Sequence, residues 1–535
     1  MTADLDTLCG AAYPSCDEVL PQGDDATDLV STASGSSGGS DAFVRSRECF
    51  EGIVEWLGGA QADRLEHGEL EDRLRAEGRE LLRTLFEDRL ELRARRETRL
   101  DEVIDGAGVA HRAVEGGHGR QLATIFGQVS VSRLAYRRRG EENLYPADAQ
   151  LNLPDQQASH GVRRLAAIES SRGSFDEATE QVRERTGLTL GKRQVEQLAV
   201  RAAVDFEQFY ASRARSPDAQ NDHDNDAVLV LSADGKGIVM RQDGLRAATA
   251  QAAQRASPKL KTRLSKGEKH NRKRIAEVGA AYEIAPAPRT PADVLASTPE
   301  KTLPAPKAKN KWLTASVVKD AATVVSSIFD EAERRDGDHQ RTWVALVDGN
   351  NHQIDRINKE ANTRKVKVTI IVDLIHVLEY LWSAAWCVFK EGDPAAEQWV
   401  HDKALAILEG KAGIVAAAIR RKATRLRLDH DQRAKADRCA EYLLNKRPYL
   451  DYPAALANGW PIATGVIEGA CRHLVKDRMD ITGARWGLDG AEAILTLRAI
   501  RSNGDFDDYW RYHLAHERRR VHETRYANGL IPRAA

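Results

Sequence analysis

The chain has no Cys-x-x-Cys pair. Its six cysteines (Cys9, Cys16, Cys49, Cys387, Cys439 and Cys471) are scattered. That distribution fits neither a disulfide framework nor a zinc ribbon, and suits a reducing compartment. A long apolar run is missing too: nothing is long enough to cross a membrane, and the acidic, Ser/Gly-rich start does not read as a signal peptide. The expectation is a cytoplasmic protein with no membrane contact. Net charge is also slight, because 79 Lys+Arg stand against 80 Asp+Glu, so the total says nothing about partners. The distribution says more. Between Arg255 and Arg274 nine Lys/Arg face a single acid, Glu268, and the region after Arg511 is again rich in Arg and His. Such blocks are the footprint expected of a phosphate-backbone partner, and equally of a solvated loop.

What is present reads as several domains. Residues 1–42 are polar and Ser/Gly-rich, as in a disordered tail. The segment 43–220 reads as a helical region with a small β patch. Leu70, Leu74, Leu81 and Leu85 recur at helical spacing among Glu and Arg, and are expected to pack within their own domain. Val129 and Val131 alternate with Ser130 and Ser132 after Gly127, a strand pattern that ends in the basic run Tyr136 to Arg139. From Ser174 the chain reads as a helix-turn-helix. Ser174 and Glu177 form a capping box, a first helix runs to Arg185, Thr186-Gly187 breaks it, and a second helix begins near Thr189. Lys192, Arg193 and Gln194 fall in the first turns of that helix, where a recognition helix presents side chains to the major groove. Any helical hairpin gives the same signature.

From Ala227 strands and helices alternate. Apolar runs at Val228–Leu231, Trp343–Val347 and Val368–Val372 read as buried strands, each followed by an aspartate: Asp234, Asp348 and Asp373. Ile238–Arg241 is expected to return as a hairpin partner of the first strand, with a third strand at Ala280–Ile284 and a helix from about Ala315 to Arg335. The resulting order, β-β-β-α-β-α-β, is that of an RNase H-like α/β core with a mixed sheet flanked by helices, over 221–376 and 461–505. Residues 377–460 read as an all-α insertion covering the rim. Its aromatic residues Trp382, Trp386 and Phe389 are expected to form its core, and Arg420, Arg421, Lys422, Arg425 and Arg427 form a basic cluster. Glu468 opens a helix after Pro461 and Gly465, and 506–535 reads as a basic C-terminal tail.

Carboxylates at the C-terminal ends of buried strands stand where open α/β sheets bind ligands, and several on one rim repel unless a cation lies between them. Oxygen ligands suit magnesium or manganese, and paired metals are a common device for phosphodiester chemistry. For any single Asp-Gly pair a tight turn is the simpler explanation.

The run Thr464 to Met479, Thr-Gly-Val-Ile-Glu-Gly-Ala-Cys-Arg-His-Leu-Val-Lys-Asp-Arg-Met, followed by Gly483, Arg485-Trp486 and Leu497-Arg498-Ala499, resembles DDE transposases of bacterial insertion sequences. The likeness is greatest to the ISKra family and more distant to Mutator-like elements. It extends upstream through Leu151-Asn-Leu-Pro154 to about Gly127. The resemblance implies a catalytic metal triad of Asp234, Asp348 and Glu468 holding two Mg²⁺ ions, with Mn²⁺ able to substitute. It makes Asp373-x-x-His376 an auxiliary motif, and it implies terminal-repeat binding, DNA cleavage and strand transfer by a nucleoid-associated homodimer or higher assembly. Asp348 is preferred to Asp373 as second ligand because the first and fourth strands of an RNase H sheet are neighbours. A local Asp373–His376 hydrogen bond is expected, with His376 in a structural, core-like role. Lys476 and Arg478, two to three turns beyond Glu468, are candidate phosphate contacts or solvated helix charges. Rival readings are a catalytically idle DNA-binding descendant of a transposase, and a metal-dependent nuclease that cuts without joining.

Overall fold

The computed structural model describes residues 42–213, 226–255, 268, 272–296, 303–481 and 483–533. The expected disordered tail and most of the basic block between Arg255 and Arg274 lie outside the described residues. The chain divides into two compact units, one of Met1–Ser159 with Val521–Ala535 and one of His160–Arg520. The division falls at Ser159, ahead of the helix that begins at His160.

In the first unit, helices α1 (Val44–Leu57) and α2 (His67–Arg95) form a hairpin. Asp88, buried on α2, accepts from Arg45 Nε at 2.9 Å and from the Ser46 backbone N–H at 3.2 Å. These bonds to α1 satisfy a carboxylate that would be costly to bury alone. The leucine stripe behaves differently from expectation: Leu74 and Leu85 stay exposed, because α2 turns Thr84, Asp88 and Leu90 inward instead. Strands β1 (Val103–Ile104) and β2 (Ala110–His111) pair with each other. Strands β3 (Ala113–Thr124) and β4 (Gly127–Arg137) form an antiparallel hairpin in which Val129 and Val131 are buried, as their alternation predicts.

The second unit opens with helices α3 (His160–Arg172), α4 (Phe175–Thr186) and α5 (Lys192–Ala202). The Ser174/Glu177 capping box is present, with Glu177 N–H donating to Ser174 Oγ at 3.1 Å. Gly187 ends α4 in the left-handed region (φ 73°), a conformation that glycine adopts without a Cβ penalty.

The central sheet has five strands: β5 (Val228–Val239), β6 (Lys273–Ile284), β7 (Ala308–Ser316), β8 (Trp343–Val347) and β9 (Val368–Val372). Their order is β7-β6-β5-β8-β9. The β7-β6 and β6-β5 pairs are antiparallel, and the β5-β8 and β8-β9 pairs are parallel. Every side chain of β8 is buried, the pattern of a parallel strand covered on both faces. Helices Ala321–Arg335 and Asn351–Arg364 make the crossovers into β8 and β9.

Two strand assignments need correction. Ile238–Arg241 does not return as a hairpin; β5 runs on through Asp234 to Val239 beside β6. The Gly235-Lys-Gly237 stretch resembles a turn in sequence, yet a Cβ at Gly235 would lie 2.8 Å from Ile275 on the neighbouring strand. The glycine admits a close neighbour instead of bending the chain. The other correction is β7, whose exposed, Lys-bearing first half hides its strand character; the helix expected from Ala315 begins at Ala321.

Helices Leu374–Ala385, Pro394–Leu408, Ala412–Arg425, His430–Asn445 and Tyr452–Ala457 make up the expected insertion. Leu381 is buried in its core, whereas Trp386 remains 41% exposed and stacks on Trp382 at 5.2 Å. The expected C-terminal tail is also different. Its first half is the helix Phe506–Val521, which buries Tyr509, Trp510, His513 and Glu517, so its Arg and His content belongs largely to a packed element.

Candidate metal centre

Asp234 sits where the ladder between β5 and β8 ends. The last paired residues are Ser232 and Leu346, so two further steps along each strand put Asp234 level with Asp348. Asp348 starts a turn in which its Oδ1 accepts the Asn350 N–H at 2.7 Å. Tyr442, from the insertion, donates to the Asp348 backbone carbonyl at 3.0 Å, and Tyr452 donates to the carbonyl of Val372 at 2.9 Å. The insertion thus holds the ends of β8 and β9 from above. Asp373 follows β9 and caps the next helix, its Oδ1 accepting the Ile375 N–H at 2.8 Å.

Glu468 lies on the helix Gly465–Ala470, which continues through a π-helical turn, Cys471–Lys476, into Asp477–Met479. Two neighbours on that segment tie it to the strand-end aspartates. The Thr464 hydroxyl donates to Asp373 Oδ2 and lies 3.4 Å from Glu468 Oε1. Cys471 Sγ donates to Asp234 Oδ2 at 3.3 Å. Thr464 and Cys471 stand four residues before and three after Glu468, on its face of the helix. That spacing was the available signal for both, but nothing in it names their partners.

A ligand atom from each of Asp373, His376 and Glu468 lies within 4.8 Å of the other two, and this is the one such trio of His, Cys, Asp or Glu among the described residues. The group could hold a metal ion. Asp348 is at the same rim but outside the trio. The electrostatics agree with crowding. Burial pushes the Asp373 carboxyl above its ordinary range despite hydrogen bonds from Thr464 and Ile375. Burial likewise raises Glu468, with further upward pressure from Asp373 and Asp234. Glu277, on β6 opposite Gly235, is raised by burial and by Asp234, and is a rim carboxylate that the motif reading missed. A cation would relieve all three.

No protein-family model matches the chain, and no curated protein matches it.

The remaining candidates divide. His376 is half-buried rather than core, and its Nδ1 lies 3.1 Å from Glu379 Oε2. The local bond expected from Asp373 is replaced by this one, because both Asp373 oxygens are engaged by Ile375 and Thr464. Lys192 and Arg193 are exposed at the start of α5, with Lys192 paired to Asp176. Gln194 is exposed, and its Oε1 accepts the Gly191 N–H at 2.8 Å and caps the helix. Lys476 is exposed. Arg478 is neither a phosphate contact nor a solvated charge. It is 3% exposed, donates from Nε to the Ser170 carbonyl at 2.9 Å, and lies 4.7 Å from the Trp486 ring centre. Burial, reinforced by Arg498, lowers its pKa to about 10.

Proposed function

We propose that this chain is a DDE transposase with an RNase H-like core. In this reading it binds the terminal inverted repeats of an insertion sequence, cuts the DNA at the element's ends, and joins the freed strands to target DNA. The observation that carries the proposal is the rim. Strands β5, β8 and β9 deliver Asp234, Asp348 and Asp373 to one edge of the sheet, where two side-chain hydrogen bonds anchor the Glu468 helix. The sheet order β7-β6-β5-β8-β9, with crossover helices before β8 and β9, supports the RNase H-like assignment.

The donor set fits hard divalent cations, being mostly carboxylate. Asp234, Asp348 and Glu468 would hold the ions. When bound, these ions supply Lewis-acid stabilisation of the scissile phosphate and an acidified water. The chain's own residues do the positioning. Cys471 orients the Asp234 carboxylate, and Thr464 sets the Glu468 helix against Asp373. Tyr442 steadies the Asp348 turn. Each strand transferred exchanges one phosphodiester bond for another, so joining needs no external energy. Lys192, Arg193 and Lys476 are exposed cations available to the backbone of element or target DNA. Synapsis of two ends implies a dimer or larger assembly.

The test is a Mg²⁺- or Mn²⁺-dependent strand-transfer assay on the full chain with labelled element ends. The expected result is cleavage followed by joined products. Both should be abolished in Asp234→Asn, with end binding retained, because the loss of one charge strips the ions while most DNA contacts lie elsewhere. Cutting by Asp234→Asn at ordinary Mg²⁺ would overturn the site. Cleavage without joining would leave a nuclease, and binding without cleavage an idle DNA-binding protein.

A further inference from the structure

The trio at the rim includes a nitrogen donor that the carboxylate triad does not use. His376 stands one turn into the helix Leu374–Ala385, whose start is fixed by the Asp373 cap. Its Nδ1 is held at 3.1 Å by the Glu379 carboxylate. A carboxylate on one ring nitrogen orients the ring and, in the neutral tautomer that carries its proton on Nδ1, leaves the Nε2 electron pair for a metal. This is the arrangement that accompanies metal-bound imidazoles. Asp373 and Glu468 supply oxygens within 4.8 Å of the ring's donor atom, and Asp373 is fully buried. The single Thr464 hydroxyl proton is shared between the two carboxylates, a hydrogen bond that orients them without cancelling the charge of either.

A second buried charged cluster is held by ion pairs between its own members. Asp205, His513, Glu517, Arg163 and Arg520 are linked through ion pairs at 2.7–2.8 Å. At the rim trio the positive group that acts on both Asp373 and Glu468 is the His376 ring itself, with no arginine or lysine ion pair to either carboxylate among the described residues.

We propose that His376 Nε2, with oxygens of Asp373 and Glu468, forms a mixed nitrogen–oxygen position for a divalent cation that favours Mn²⁺ over Mg²⁺. Mg²⁺ is a hard ion that takes oxygen ligands almost exclusively, whereas an imidazole suits a first-row transition ion. The proposal rests on the metal-dependent reading of the rim and adds the identity of one ligand and the resulting preference. It does not depend on the DNA chemistry.

The experiment uses Mn²⁺ itself as the probe. Full-length protein is loaded with one equivalent of Mn²⁺, and pulsed electron paramagnetic resonance is recorded on natural-abundance and ¹⁵N-histidine-labelled samples. The expected result is nitrogen modulation from a directly bound imidazole that changes to the ¹⁵N pattern on labelling and vanishes in His376→Ala. Titrations should show Mn²⁺ affinity falling at least tenfold in that variant, with Mg²⁺ affinity changing far less. Because His376 is half-buried on a helix, the variant should fold; Glu379→Gln, which keeps the imidazole, should retain the modulation with weakened Mn²⁺ binding. Mn²⁺ bound with no nitrogen modulation, or modulation surviving in His376→Ala, would overturn the inference while leaving an all-oxygen transposase site intact. A chain that binds no Mn²⁺ at all would overturn both.

Discussion

Asp373 and Glu468 meet at one hydroxyl: Thr464 Oγ1 donates to Asp373 Oδ2 and lies 3.4 Å from Glu468 Oε1. The contact joins the end of β9 to the helix that carries the glutamate. It brings together two carboxyl groups that burial raises, with Asp373 adding to the rise at Glu468. Metal binding requires them ionised, so affinity should climb with pH through a range above that of ordinary carboxylates. Thr464→Val should weaken Mn²⁺ binding and move that pH midpoint upward, and Thr464→Ser should restore both. Calorimetric titrations at several pH values would check this. An unchanged midpoint in the valine variant would show that the hydroxyl does not couple the two acids.

The exposed start of α5 carries two cations and one glutamine that caps the helix. Lys192→Ala with Arg193→Ala should weaken binding to element ends and reduce its salt slope by about two, one for each phosphate no longer neutralised. Gln194→Ala should instead lower thermal stability by about 0.5–1 kcal/mol through loss of its cap, with the salt slope unchanged. Binding measured across a salt series separates the two. If the double variant binds as tightly as the parent at every salt concentration, α4 and α5 are scaffold.

Arg478 and Lys476 are close in sequence and opposite in environment. Arg478→Ala removes a buried guanidinium from Trp486 and Phe175 and leaves the Ser170 carbonyl without its donor. It should cost about 2–4 kcal/mol of stability. Lys476→Ala should leave the melting temperature within a degree or two. Thermal denaturation of both variants decides, and similar melting temperatures would refute the placement of Arg478 in the core.

The buried network around His513 predicts acid sensitivity. Burial alone would raise Asp205, but hydrogen bonds from His513 and Arg520 outweigh it and hold its pKa at about 2. Glu517 is likewise held at about 2, with Arg520 and Arg163 overcoming burial. Both folded-state values lie below the unfolded ones, so their stabilisation is complete above the ordinary carboxylate range. It is lost as pH falls from about 4.5 toward 2. Asp205→Asn should flatten that dependence and lower stability at neutral pH. A parent protein whose melting temperature is constant from pH 6 to pH 3 would contradict this.

Much of the core was legible in the sequence because its causes are local. Trp343–Val347 is five apolar residues in a row, which only a strand covered on both faces can bury, and Asp348 necessarily follows it. Ser174, Glu177 and Gly187 carry the start and end of α4 in their own side chains or lack of one. The order of Asp234, Asp348, Asp373 and Glu468 could be read for the same reason.

Tertiary structure decided what those residues touch. Gly235 looked like a turn because the side chain of Ile275 that crowds it comes from another strand. Arg478 looked like a surface cation because Ser170 and Phe175 reach it from other helices and Trp486 from the segment before Leu488. Asp373 rather than Asp348 came within ligand distance of Glu468 and His376, since that spacing depends on where the insertion returns the chain to the sheet. A carboxylate's position along the chain follows from the strand that carries it, whereas its proton, its partner and its metal depend on side chains that arrive only when the whole unit packs.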